Sequence, residues 1–266
     1  MGEEVTVNLS RFSGFADDYD RYRPQPPVIV TEVLTQLAGG GIPALVVDLG
    51  SGTGLSTRIW TGRAREVIGI EPNPDMRRAA EAHPAPDQET VIHYLDGHSA
   101  ATGLPDGCAD IVCCSQSFHW MEPAATLAEV ARILRPGGVF AAVDCDWPPT
   151  LQCEAELAYK ALMARVKELE RGNAAHQWPK DGHLAQIAGS GCFRYTRETA
   201  VHHVTAGNAD DLVGLALSFG AVQDLLKQGL SEDDIGLTGF HQAASHLLGA
   251  EPIPWYFTYR IRLGFK

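Results

Sequence analysis

No apolar run in this 266-residue chain approaches the length of a membrane-spanning helix, about eighteen residues or more, and its N-terminus carries no signal-like segment. Both absences predict a cytosolic protein with no membrane partner. Positive charge is also scarce: 21 Lys and Arg stand against 33 Asp and Glu, a net charge of -12. The densest basic stretches, 58–65 and 260–262, are short, so a polyphosphate backbone would be repelled and nucleic acid is excluded as an expected partner. The six cysteines, at 108, 113, 114, 145, 153 and 192, never form C-x-x-C, and there is no H-E-x-x-H. They read as free thiols, mostly in buried strands. Hydrophobic residues at 45% and charged residues at 20% are those of an ordinary globular fold, and the lack of a basic patch makes a small molecule the expected partner.

What is present is an alternation of strands and helices. Helical spacing over 31–38 is closed by three glycines, and ALVVDLG then runs apolar without a break, as a strand covered on both faces does. Leu55–Gly62 is predicted as a helix, EVIGIEPN as a second strand, PDMRRAAEAH as a helix opened by proline, and TVIHYLDG as a third strand. CADIVCCSQS is the fourth strand, PAATLAEVARILRPGG a helix and VFAAVDCDW the fifth strand. Beyond residue 150 the pattern predicts helices at 155–171, 182–189, 210–229 and 232–248, and two further strands, FRYTRETAVHHV and PWYFTYRIRLGF. The fold class is α/β: a doubly wound, mostly parallel seven-stranded sheet with an antiparallel last strand. The helical pair 210–248 is expected to cap the edge where ligands bind, with Ser231 capping the second helix.

Such sheets bind ligands beyond the C-terminal ends of their strands. Those positions hold DLGSGTG after the first strand, Glu71 after the second, Asp96 to Ser99 after the third and Ser115 to Trp120 after the fourth. Glu71 lies seventeen residues past Gly54, where a carboxylate suits two ribose hydroxyls. The loop itself lacks the Lys-Ser/Thr of a P-loop, and Leu55 stands where a dinucleotide site has its third glycine.

Four ordered stretches, YDRYRP (19–24), VVDLGSGTG (46–54), ATGLPDGCADIVCCSQSFHW (101–120) and ILRPGG (133–138), resemble the class I S-adenosylmethionine-dependent methyltransferases. The likeness is to the small-molecule branch containing the trans-aconitate and ubiquinone-biosynthesis types. It spans about the first 145 residues and implies S-adenosylmethionine as cofactor. It also implies that Gly50, Ser51, Gly52 and Gly54 admit the methionyl part, that Asp48 orients the loop and meets the amino group, and that Glu71 holds the ribose. Asn73 and Met76 would line the adenine pocket, with Asp96 or His98 on the adenine amino group and Ser115 and Gln116 beside the cofactor. Tyr19 and Arg23 would meet the methionyl carboxylate, the guanidinium in two parallel hydrogen bonds. On this reading 1–150 is a lid segment plus the cofactor-binding core. Residues 151–266 complete the sheet and carry the substrate-selecting cap within one structural domain.

In-line methyl transfer needs alignment above all, and a base where the acceptor is a hydroxyl, an amine or an acidic C–H. His119, just past the fourth strand, is the candidate base. Trp120, Trp147, Trp178, His202 and Arg260 are candidate acceptor contacts, Arg260 sharing a strand face with Arg262. Ten histidines raise a metal-assisted alternative in which His119, His176, His183, His202 and His203 supply ligands for C-methylation of a 2-oxo acid or enolate. No compact ligand spacing supports it, so no metal is expected. An NAD-dependent oxidoreductase and a non-catalytic methyltransferase-like binding protein also stay open. Assembly is read as monomer or homodimer.

Overall fold

Apolar runs bounded by glycine and proline turns become the strands of one mixed sheet in the computed structural model, which describes residues 20–83, 89–170 and 176–266. In chain order the elements are α1 (Ile29–Leu37), β1 (Leu45–Leu49), α2 (Leu55–Arg58), β2 (Glu66–Ile70), α3 (Pro74–Ala82), β3 (Val91–Leu95), β4 (Ala109–Ser115), α4 (Pro123–Ile133) and β5 (Leu134–Cys145). They continue with α5 (Cys153–Leu169), α6 (His183–Gly189), β6 (Tyr195–Gly207), α7 (Ala209–Leu217), α8 (Gly220–Lys227), α9 (Glu232–Ile235), α10 (Leu237–Leu248) and β7 (Ile253–Phe265). Short 3-10 turns occupy Phe118–Trp120 and Lys180–Gly182.

The seven strands lie in the order β3-β2-β1-β4-β5-β7-β6. The first five pair in parallel and β7 runs antiparallel to β5, the topology expected from the sequence. The order reverses between β1 and β4, the switch point at which such sheets open a crevice. β1, β2, β4 and β5 are buried along nearly their whole length, because helices cover parallel strands on both faces. Val47, Leu49, Ile70, Val112, Phe140 and Ala142 form the centre of that core with Phe118, Leu127 and Ile133.

Several boundaries differ from those the sequence predicts. The helix after the glycine loop ends at Arg58, and the chain continues in i→i+3 turns, Trp60 N to Thr57 O and Thr61 N to Arg58 O, that sink Trp60 into the core. RPGG does not close α4 but opens β5: the Arg135 guanidinium donates to Asp110 on β4 and to Ala38 O, drawing 134–138 into the sheet. The predicted helix 210–229 breaks at Phe219, whose backbone is extended and whose ring packs edge-on against Trp147. The predicted helix 232–248 breaks at Gly236, at φ +95°, a left-handed conformation that a side chain would strain. Ser231 does cap, through a capping box with Asp234. All six cysteines are free thiols; Cys113, Cys114 and Cys145 are buried in strands and Cys153 is exposed.

The described chain divides into two compact units. The larger comprises 25–83, 89–145, Gln177–Val201 and Tyr259–Lys266; the smaller comprises 20–24, 146–170, His176 and 202–258. In the smaller unit α10 packs on α7 and α5. Tyr159 joins the rings of Phe219 and Phe240, and Trp255 lies across Gly207 so closely that a Cβ there would be 2.7 Å from the indole. Residues from beyond 150 thus contribute to both units.

Candidate active site

In the larger unit, the loop after β1 hangs on the end of β2, with Gly50 N and Ser51 N both donating to Ile70 O at 2.8 and 3.3 Å. Gly50, Gly52 and Gly54 all have positive φ, +68°, +56° and +83°. A Cβ on Gly50 would lie 2.7 Å from Ser117 Cβ, so the loop is packed against the turn that follows β4, and Ser117 Oγ donates to Leu49 O at 2.7 Å. Gly52 is the opposite case: no atom lies within 4 Å of the place its Cβ would occupy. The loop is therefore tight on one side and open at its middle. The Ser51 and Thr53 hydroxyls are buried without hydrogen-bond partners. Polar atoms in that state call for a polar ligand or water.

Asp48 is fully buried at the end of β1, where Oδ2 accepts from Ser56 Oγ and Thr57 Oγ1, both at 2.7 Å, and the Cys113 thiol faces Oδ1 at 3.7 Å. It ties the strand to the first turn of α2 and so sets the loop between them. Burial pushes its carboxyl up from 3.8 to about 6, against the pull of the two hydroxyls and the thiol. The folded protein holds that proton more tightly than the unfolded chain, so this group lowers stability as pH rises from about 4 to about 6. Asp48→Asn keeps an acceptor for both hydroxyls and removes the charge. Its unfolding free energy relative to the parent is expected to improve by about 3 kcal/mol between about pH 4 and pH 7. Denaturant titrations at the two pH values check this; a difference that does not vary with pH would overturn it.

Glu71 closes the other side. It is 8% exposed, its Oε2 accepts from Gly52 N and its Oε1 from Asn73 N, both at 2.9 Å. Burial raises its carboxyl above the ordinary range, opposed by those two backbone donors. A carboxylate offers about four acceptor positions, so two remain for a ligand. Asn73 caps α3, its Oδ1 accepting from Asp75 N and Met76 N, and Met76 is buried beneath. Past β3, Asp96 is exposed and paired with Arg77 at 3.0 Å, while Arg77 also donates to Glu71 O. His98 is exposed in a one-bridge turn with Ala101. Ser115 ends β4, and Gln116 follows at φ +54°, rare for a residue other than glycine, with its N–H donating to Val143 O. The backbone strain at Gln116 marks the start of the turn carrying His119.

That turn leads to a cluster that the spacing of residues along the chain does not reveal. Asp144, 3% exposed near the end of β5, accepts from Arg262 Nη1 at 2.7 Å and lies 3.0 Å from His183 Nδ1 through Oδ2. Its Oδ1 is 3.2 Å from Lys180 Nζ and 3.9 Å from His119 Nδ1. These neighbours hold the carboxyl far below its ordinary value even though burial, the largest single effect, acts the other way. Lys180 also donates to Gln116 Oε1 at 2.6 Å, Trp178 N donates to His119 O at 2.8 Å, and the Trp120 ring lies 4.9 Å from that of His119. Arg262 is buried and shared with Glu198, to which the more exposed Arg260 is also paired. One signal for Asp144 was available: it is an acidic residue at the C-terminal end of a predicted parallel strand, as Asp48 and Glu71 are.

In the smaller unit the Arg23 guanidinium lies over the rings of Phe219 and Trp147 at 4.1 and 5.0 Å and donates to Ser218 O. His202 is exposed with Nδ1 3.0 Å from Thr258 Oγ1, and His176 is exposed, with His203 next to His202 on β6. His119 and His183 belong to the larger unit, their rings parallel with centroids 6.5 Å apart. Among the described residues, no group of three His, Cys, Asp or Glu side chains could hold a metal ion. Tyr19 lies outside the described residues.

Residues 47–142 match a family model described as a methyltransferase domain. An uncharacterized methyltransferase of Mycobacterium bovis is 35% identical over 128 residues, 48% of this chain and 49% of that protein. A malonyl-[acyl-carrier protein] O-methyltransferase of Serratia marcescens is 38% identical over 143 residues, 50% of this chain and 52% of that one. The chain spans about half the length of the curated relatives it matches. A solved structure described as a type II methyltransferase from Anaeromyxobacter dehalogenans superposes with a TM-score of 0.63 over 92% of this chain and 98% of that one, at 23% identity. That likeness is one of fold. No helix among the described residues is long and apolar enough to cross a membrane.

Proposed function

We propose that this chain, which matches a methyltransferase domain at 47–142, is a class I enzyme that moves a methyl group from S-adenosylmethionine to a small-molecule acceptor. The observation that carries the reading is the coupling of Glu71 to Gly52: an acidic residue bound to a loop that is open at that one glycine. The donor set fits the cofactor. Glu71 retains acceptor capacity for ribose hydroxyls, Ser51 and Thr53 have unpartnered hydroxyls beside the glycines, and Asp48 beneath them is a carboxyl that a ligand ammonium would favour in its charged form. Asn73 and Met76 would line the adenine side, with Asp96 or His98 beyond, and Arg23 with Tyr19 would take the methionyl carboxylate.

When bound, S-adenosylmethionine supplies a sulfonium methyl group open to in-line displacement. The protein's own work is to hold the acceptor's nucleophilic atom on that line, keep water out and accept the acceptor's proton. His119 takes the last role, on a turn packed against the glycine loop through Ser117. Trp120, Trp147, Trp178, His202 and Arg260 are proposed acceptor contacts, and the helices of 209–248 the elements that select the acceptor.

Calorimetry with S-adenosylhomocysteine and with NAD tests the cofactor; binding of NAD alone would end the proposal. Methyl transfer across a panel of hydroxyl, amine and acidic C–H acceptors then tests catalysis. His119→Gln is expected to lower kcat by about 100- to 10,000-fold with S-adenosylhomocysteine affinity unchanged. Full activity in that variant would remove His119 from the mechanism.

A further inference from the structure

Asp144 spends its two oxygens differently. Oδ2 is committed to Arg262 and to His183, both buried, and His183 is further fixed by the edge of Phe118 with centroids 4.9 Å apart. Oδ1 instead faces two groups on the turns beyond the strands: Lys180, whose side chain is 33% exposed, and His119. The carboxylate is thereby held rigidly by one oxygen and presented by the other to a cation and an imidazole at once. Four elements converge here: β5 with Asp144, the 118–120 turn with His119, the 180–182 turn with Lys180 leading into α6 with His183, and β7 with Arg262. Glu198 of β6 enters only through Arg262.

We propose that Asp144 and Lys180 are positioning residues acting on His119 as an opposed pair, the carboxylate orienting and favouring the protonated ring while the ammonium restrains it. The proposal rests on the reading of His119 as the base. A carboxylate near an imidazole stabilises the imidazolium, and with Nδ1 turned towards that carboxylate Nε2 is left to take the acceptor's proton. Left alone, a buried carboxylate would favour the protonated form of His119. An ammonium on the same oxygen offsets that field, and Gln116, fixed by Val143 O, keeps the ammonium in place. His119 Nδ1 stands 3.9 Å from Oδ1, beyond hydrogen-bond length, so the carboxylate acts on the ring through its field.

The two charges therefore make opposite predictions. In histidine-labelled full-length protein, with the His119 ring signal assigned by its loss in His119→Gln, the titration midpoint is expected to fall by about one pH unit in Asp144→Asn and to rise by about as much in Lys180→Met. The acid limb of the kcat/KM profile should move the same way. A cluster that is only structural would leave the acid limb of the profile where it is. An unmoved midpoint in Lys180→Met, or shifts of the same sign in both variants, overturns the proposal. Should Asp144→Asn fail to fold, Lys180→Met decides alone: an upward shift supports the pair, and any other result refutes it. The NMR reading does not depend on turnover. Opposite shifts combined with an active His119→Gln would leave the charge pair standing and remove the base, whereas an inactive His119→Gln with unmoved midpoints would do the reverse.

Discussion

Replacing Glu71 by alanine is expected to weaken S-adenosylhomocysteine binding by about 100- to 1000-fold, the loss of two charge-assisted hydrogen bonds of roughly 1.5–2 kcal/mol each. The structure adds a sharper expectation for glutamine. Both oxygens of Glu71 already accept from backbone N–H groups, Gly52 and Asn73. Whichever way the amide of Glu71→Gln is turned, its NH2 faces one of those donors, and either the loop or the cap of α3 must shift. The isosteric variant should therefore bind nearly as poorly as alanine, while Glu71→Asp, too short to span both donors, should lose one of them. Calorimetry on the three variants checks the order; a glutamine variant that binds like the parent would show that the carboxylate is not the ribose contact.

The second large effect separates two glycines of the same loop. Gly50→Ala places a Cβ 2.7 Å from Ser117 Cβ and 2.9 Å from Met121 Cε, in a left-handed backbone conformation. Conformational strain and overpacking together should cost about 2–5 kcal/mol, and lower Tm by roughly 5–15 °C. Gly52→Ala carries a similar backbone cost, about 1–2 kcal/mol, but its Cβ meets nothing. Its expected signature is a Tm lowered by only about 2–6 °C with S-adenosylhomocysteine affinity reduced about 10- to 100-fold, because the methyl occupies space the ligand needs. Thermal melts with and without ligand distinguish the two. Equal loss of stability in both variants, with Gly52→Ala still binding normally, would sink the idea that the loop is open for a ligand at its centre.

Residues that act through the backbone or end a strand were legible in the sequence. The succession of strands along the chain and the places of Asp48, the glycines, Glu71 and His119 at or just past strand ends follow from apolar runs broken at fixed places, since a parallel sheet buries its strands. Boundaries set by a single long-range contact were not legible. RPGG reads as a helix end by local preference, yet Arg135 meets Asp110, twenty-five residues earlier, and the segment becomes strand. The break at Phe219 is likewise decided by rings distant in sequence.

The same division runs through the candidate site. The sequence by itself determined the α/β class and the placing of the glycine loop and Glu71 at the ends of the first two strands, because these depend on spacing within a strand–turn–helix unit. Only the tertiary structure decided that His119, Lys180, His183 and Arg262 meet around Asp144. Those five residues come from four stretches between 119 and 262, brought together by the antiparallel pairing of β5 with β7 and by the 180–189 segment. Spacing carries no record of such a meeting; only the packing of a buried charge, which must find partners of opposite sign, brings it about.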